Sequence, residues 1–149
     1  SRAMDITIDL DGTLEGKKVF LAVDGKEMYS CDAEKNINCT IELAGAAIWD
    51  TDTPNLHTLN VKAGNAEKQF SFGIREIKCE NGKMLLNGKE FKIFGVNRHD
   101  CHPQFGYAVP ETIALDDIQA IKAQGFNCIR GSHYPQNRSR RRKRSHEGL

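Results

Sequence analysis

Apolar and polar positions alternate in short runs over the first half of the chain. Residues 4–10 set Ile6 and Ile8 against Thr7 and Asp9 and end at Asp11-Gly12, which predicts a strand and then a turn. Val19-Phe20-Leu21-Ala22-Val23, then Asp24-Gly25, then Glu27-Met28-Tyr29 predicts a hairpin, because Asp-Gly readily takes the positive φ values of a tight primed turn. Residues 37–43, 56–61 and 69–74 supply three more candidate strands. About six strands at this spacing predict a β-sandwich.

From residue 77 the pattern changes. Residues 77–80, Asn81-Gly82, residues 84–86, Asn87-Gly88 and residues 91–96 carry two successive Asn-Gly hairpin signals, which predict a three-stranded meander whose last strand is 91–96. Pro110 suits the first turn of a helix, where a missing N–H costs nothing, and Glu111 suits its positive end. Ala114, Ile118 and Ile121 then share one helical face, and Gly125 is a natural stop. Residues 126–130 form a second short apolar strand. Strand, helix and strand in this order predict a βαβ unit with its two strands parallel and adjacent.

Composition narrows the classes. With 39% hydrophobic and 28% charged residues in 149, 13 of them Gly and 4 Pro, the chain has the balance of a globular protein. No apolar run reaches the ~18 residues of a membrane span. The net charge of +1 hides an asymmetry: residues 138–144 hold six of the 21 Lys and Arg, and residues 1–137 alone carry a net charge of −4. A body of that sign argues against a nucleic-acid surface, although the basic tail on its own could serve as one. Five cysteines without a Cys-x-x-Cys pair indicate neither a disulfide framework nor a zinc ribbon, and favour a reducing, cytoplasmic setting.

Candidate chemistry gathers at one place. Asn97, Arg98, His99, Asp100 and His102 follow the first βαβ strand, and Arg130, Ser132 and His133 follow the second. Parallel strands bring these C-terminal ends to one rim, where α/β folds bind ligands. Four readings compete: a metal held by His99, Cys101, His102 and His133; a Cys101–His133 nucleophile pair; salt bridges of Arg98 and Arg130 to Asp100; or a polar pocket for a hydroxyl-rich ligand.

The order of several segments supplies a resemblance. Phe72-Gly73-Ile74-Arg75-Glu76-Ile77, Leu86-Asn87-Gly88-Lys89, Gly95-Val96-Asn97-Arg98-His99-Asp100, Asp117-Ile118, Gly125-Phe126-Asn127 and Arg130-Gly131-Ser132-His133-Tyr134-Pro135 resemble glycoside hydrolase family 2. Trp49 with Pro54-Asn55-Leu56-His57 looks like a further family segment, with His57 where Tyr is usual. Within the family, Gly-Val-Asn-Arg-His-Asp followed by His-Pro is similar to the β-galactosidases rather than the β-glucuronidases.

The resemblance implies a mainly β, immunoglobulin-like β-sandwich over residues 1–74, without its first strand, followed by an incomplete (β/α)8 TIM-barrel start. Residues 75–135 would be the hairpin meander and first βαβ unit of the barrel. Residues 136–149 depart from the family and have no apolar stripe, which fits a disordered or non-native tail from a truncated, frame-disturbed or cloning-derived end. It also implies a retaining glycosidase acting on terminal β-galactosides through two carboxylates about 5–5.5 Å apart. Both glutamates come from later barrel strands and neither motif occurs in this chain, so the fragment is expected to be inactive alone. His99, Arg130 and His133 match positions that line the sugar pocket, with Asn97 and Arg98 beside them. No metal or cofactor is implied for this stretch; the resemblance admits Mg2+ or Na+, and an oligomer, in full-length relatives. The rival from another class is a non-catalytic β-sandwich module that binds carbohydrate or a partner.

Overall fold

The computed structural model describes residues 2–14 and 16–132, so the basic tail of residues 136–149 lies outside the described residues. The described chain is mainly β, with eleven strands and one α-helix, and no helix in it is long and apolar enough to cross a membrane. It divides into two compact units, Ser1–Ala47 with Leu56–Phe72, and Ile48–Asn55 with the residues from Gly73 on.

In the first unit all the expected strands form, as β1 (Ala3–Asp9), β2 (Lys18–Val23), β3 (Lys26–Asp32), β4 (Asn36–Glu42), β5 (His57–Ala63) and β6 (Ala66–Phe72). They make two antiparallel sheets, a pair β1-β4 and a four-stranded sheet in the order β3-β2-β5-β6. Alternation decides the core: Val19, Leu21 and Val23 face inward from β2 with Leu59 and Ala63 from β5, and Ile6, Ile37 and Ile41 are buried from the pair. The turn between β2 and β3 has Asp24 at φ 50° and Gly25 at φ 80°, the two positive values that the dipeptide was expected to supply.

His57 closes this unit in a way its neighbours cannot. Its ring is 8% exposed and sits between two acceptors, the Asp24 carboxylate 2.7 Å from Nδ1 and the Ala47 carbonyl 2.8 Å from Nε2. Only an imidazolium donates to both. The Ala47 carbonyl and the Asp24 carboxylate accordingly hold the His57 pKa above its ordinary value, while the His57 hydrogen bond and the Thr58 N–H hold that of Asp24 below. A raised His57 pKa stabilises the fold fully below the unfolded imidazole value and is lost as pH rises through the folded one. The lowered Asp24 pKa acts on the other side, its contribution vanishing as pH falls through the folded carboxyl value. Stability of this unit is therefore expected to peak between about pH 4 and 6.5 and to fall by about 1 kcal/mol towards pH 8, a modest figure because Asp24 is half exposed to solvent. Urea unfolding across that range checks it: His57→Leu should flatten the alkaline limb, and an unchanged limb would disprove the imidazolium.

The second unit holds β7 (Ile77–Glu80), β8 (Lys83–Leu86), β9 (Lys89–Glu90), β10 (Gly95–Arg98), α1 (Glu111–Ala123) and β11 (Cys128–Gly131). β7, β8 and β9 are the meander, and both Asn-Gly pairs turn as expected, with Asn81 at φ 50° and Asn87 at φ 52°. The third strand differs from the expected 91–96: β9 ends at Glu90, and the next strand begins only at Gly95. The intervening backbone is claimed by the side chain of Asn127, whose Oδ1 accepts from the Phe94 N–H at 2.8 Å and whose Nδ2 donates to the Lys92 carbonyl at 2.9 Å. Gly95 then allows close pairing, since a Cβ there would lie 3.1 Å from the Cys128 carbonyl.

The loop Ile48–Asn55, inside the stretch expected to be sandwich, groups with this second unit. Trp49 is the reason. It is 4% exposed, its N–H donates to Ile74 at 2.9 Å, its carbonyl accepts from Asn87 at 3.0 Å, and the Arg75 guanidinium lies 4.5 Å from its ring centre.

Candidate functional site

The βαβ unit is present. β10 and β11 run parallel and adjacent, with Val96 opposite Ile129, Asn97 opposite Arg130 and Arg98 opposite Gly131. Helix α1 starts directly after Pro110, buries Ala114 and Ile118, leaves Ile121 half-buried, and stops at Gly125 with φ 85°. The expected stripe is therefore the packed one.

Alternation sorts the candidate residues onto two faces. Asn97 and Arg130 are cross-strand neighbours, both exposed, and so project from one face of the sheet, where strands lie about 4.8 Å apart. Val96, Arg98 and Ile129 take the other face, which α1 covers. There Arg98 does not join Asn97 and Arg130. Its Nε donates to Asp117 of α1 at 3.0 Å, and Nη1 donates to the Asp100 carboxylate, with both Arg98 and Asp100 largely buried. Burial alone would lower the Arg98 pKa, but its hydrogen bonds to Asp117 and Asp100 outweigh that and leave it raised. The salt-bridge reading thus holds for Arg98 and Asp100, and the guanidinium pins the first strand to the helix behind it.

His99 is exposed beyond the end of β10, and His133 lies outside the described residues. His102 closes the turn that follows, with its backbone bridged to Gly106, its Nδ1 accepting from the Gln104 N–H at 3.2 Å and its ring 5.1 Å from that of Phe105. No three His, Cys, Asp or Glu side chains gather as a metal site among the described residues, and all five cysteines are free. Two residues have places that the sequence reading did not give them. Asp117 was visible only as a family match, yet it is the helix partner of Arg98. Ser132 is 1% exposed, and its N–H continues the ladder to the Arg98 carbonyl at 3.2 Å.

What can this arrangement do? An amide and a guanidinium side by side on an open face offer several donors and one acceptor, which suits neutral hydroxyls or a carboxylate. Asp100, the one carboxylate expected at this rim, is buried against Arg98.

Comparison with known proteins places it. Residues 77–142 match the model for the glycosyl hydrolases family 2 TIM barrel domain, and 90 residues are 37% identical to a β-galactosidase of Staphylococcus xylosus. Together these matches support a fragment of a glycoside hydrolase family 2 protein. That matched stretch is 60% of this chain and 9% of the β-galactosidase. Among solved structures, a family 2 β-galacturonidase of Eisenbergiella tayi bound to galacturonate is similar at a TM-score of 0.80 and 25% identity, over 98% of this chain and 28% of that one. A β-glucuronidase of Parabacteroides merdae shares the fold at a TM-score of 0.84 and 23% identity, over 99% of this chain and 20% of its own. The chain therefore spans a small part of each of these relatives, and its parallel pair with α1 lies inside the stretch that the barrel model matches.

Proposed function

We propose that this chain is part of a β-galactosidase-like retaining glycosidase, contributing sugar-binding residues but neither catalytic glutamate. On this reading residues 1–74 are most of an immunoglobulin-like sandwich without its first strand, and residues 75–135 are the meander and first βαβ unit of a (β/α)8 barrel. Asn97 and Arg130, with His99 and His133 beyond the strand ends, line the subsite for the terminal sugar. The observation that supports this most is the pairing of Asn97 with Arg130 on the face that α1 does not cover, since the inner face of a barrel's C-terminal rim is where its ligands bind. β-Galactosides are preferred over β-uronides because the β-galactosidase is the relative with the higher identity. Arg98 acts on the pocket from behind by fixing the strand.

Double displacement needs a nucleophilic carboxylate and a carboxylic acid on one rim, and the carboxylate expected at this rim, Asp100, is engaged by Arg98. The purified chain is therefore expected to release no nitrophenol from a nitrophenyl β-galactoside or β-glucuronide above the uncatalysed rate. Turnover that persists in protein made in a host deleted for its own glycosidases would refute the inactive reading.

A further inference from the structure

The loop Ile48–Asn55 is a closed arm whose body groups with the second unit while the residues at its neck, Ala47 and Leu56, group with the first. Its two sides are tied to each other. The Ile48 carbonyl accepts from the Asn55 side chain at 3.0 Å, Trp49 is bridged to Pro54, and the Asp50 carboxylate shapes the tip by accepting the N–H groups of Asp52 and Thr53. Within the second unit the arm is held by Trp49, which bonds to Ile74 and Asn87, and by the Thr51 carbonyl, which accepts from Lys122 of α1. Within the first unit the neck is closed by His57, whose Nε2 lies 2.8 Å from the Ala47 carbonyl oxygen.

That last tie depends on a proton. A neutral imidazole carries one N–H, and two acceptors compete for it here. The Asp24 carboxylate is the stronger because it is charged, so it keeps the proton on Nδ1. The Nε2 lone pair is then left facing the Ala47 oxygen at hydrogen-bond distance with no hydrogen between them, and the two repel. The charged group facing the ring is Asp24, from the turn between β2 and β3; β6 presents the ring of Phe72, 5.6 Å away between centres, and the neck presents a neutral carbonyl. Asp24, its pKa lowered by hydrogen bonds from His57 and Thr58, stays ionised while His57 titrates.

We infer that His57 is a proton-controlled clamp on this arm: charged, it closes the neck and keeps the arm docked; neutral, it releases Ala47 and lets the arm open around Trp49. The ties of the arm to Ile74, Asn87 and Lys122 do not change charge between neutral and mildly acidic pH, so the neck is where pH acts. The device goes beyond the stability of the first unit, because its effect is read at residues that group with the second. It stands apart from the glycosidase reading.

Amide exchange of the whole chain, corrected for intrinsic rates, tests it between about pH 5.5 and about pH 9. The protection factor of the Trp49 N–H should fall about fivefold over that range, tracking the His57 titration read by NMR and levelling off above its midpoint. The Asn127 N–H, which bonds to the Phe94 carbonyl in the same unit, should keep its protection. The N–H of the fully buried Leu21 should stay better protected than Trp49 throughout, so that the opening belongs to the arm and not to unfolding of the first unit. His57→Tyr, which puts a group that stays neutral below about pH 9 at the neck, should make Trp49 protection indifferent to pH. Trp49 protection that is flat in the wild type, that changes away from the His57 titration, or that is no lower than that of Leu21 would overturn the proposal.

Discussion

Arg98→Met is expected to destabilise the second unit by about 3–5 kcal/mol, the usual consequence of removing one partner from a buried ion pair. The Arg98 side chain is 11% exposed and that of Asp100 7%, so the carboxylate left behind has little water to turn to. Methionine keeps most of the stem's volume, which confines the loss to the charge and the hydrogen bonds to Asp100 and Asp117. Two comparisons make the result specific. Adding Asp100→Leu to Arg98→Met should recover much of the loss, because no buried charge then remains. Asn97→Ala, one residue away on the open face, should change stability by less than about 0.5 kcal/mol. Urea unfolding followed by Trp49 fluorescence reads this unit, since Trp49 is buried within it. A loss for Arg98→Met no larger than for Asn97→Ala would show that the guanidinium does not hold the strand to α1.

How much of this was legible beforehand depends on range. Strands of the first unit follow from alternation, and all three primed turns follow from Asp-Gly or Asn-Gly, because both signals act over a few residues. The helix was readable from Ala114, Ile118 and Gly125 for the same reason. What could not be read were choices settled by residues distant in sequence. The end of the meander is set by the Asn127 side chain, which occupies backbone groups some 35 positions earlier. The grouping of Ile48–Asn55 with the second unit is set by what Trp49 meets.

The candidate site divides along the same line. That Asn97 and Arg130 meet follows from the βαβ rule, which fixes strand adjacency, and from register. That Arg98 faces the other way follows from strand alternation and was available in principle. A run of five polar residues after an apolar strand reads as one cluster until the strand's end is placed, and β10 extends through Arg98 where the pattern had ended it at Val96.

The central claim is that Asn97 and Arg130 form part of the sugar subsite of a family 2 glycosidase. Its most direct measurement grafts residues 95–132 into the Staphylococcus xylosus β-galactosidase in place of the corresponding segment and follows kcat/KM on nitrophenyl β-galactoside. Arg130→Ala in that chimera should lower kcat/KM about 100-fold, or about 2.7 kcal/mol of transition-state binding, with a thermal midpoint within about 2 °C of the parent chimera. Val96→Ala, on the face towards α1, should do the reverse, lowering the midpoint and sparing the rate. An Arg130→Ala chimera with undiminished kcat/KM would contradict the assignment of this rim to sugar recognition.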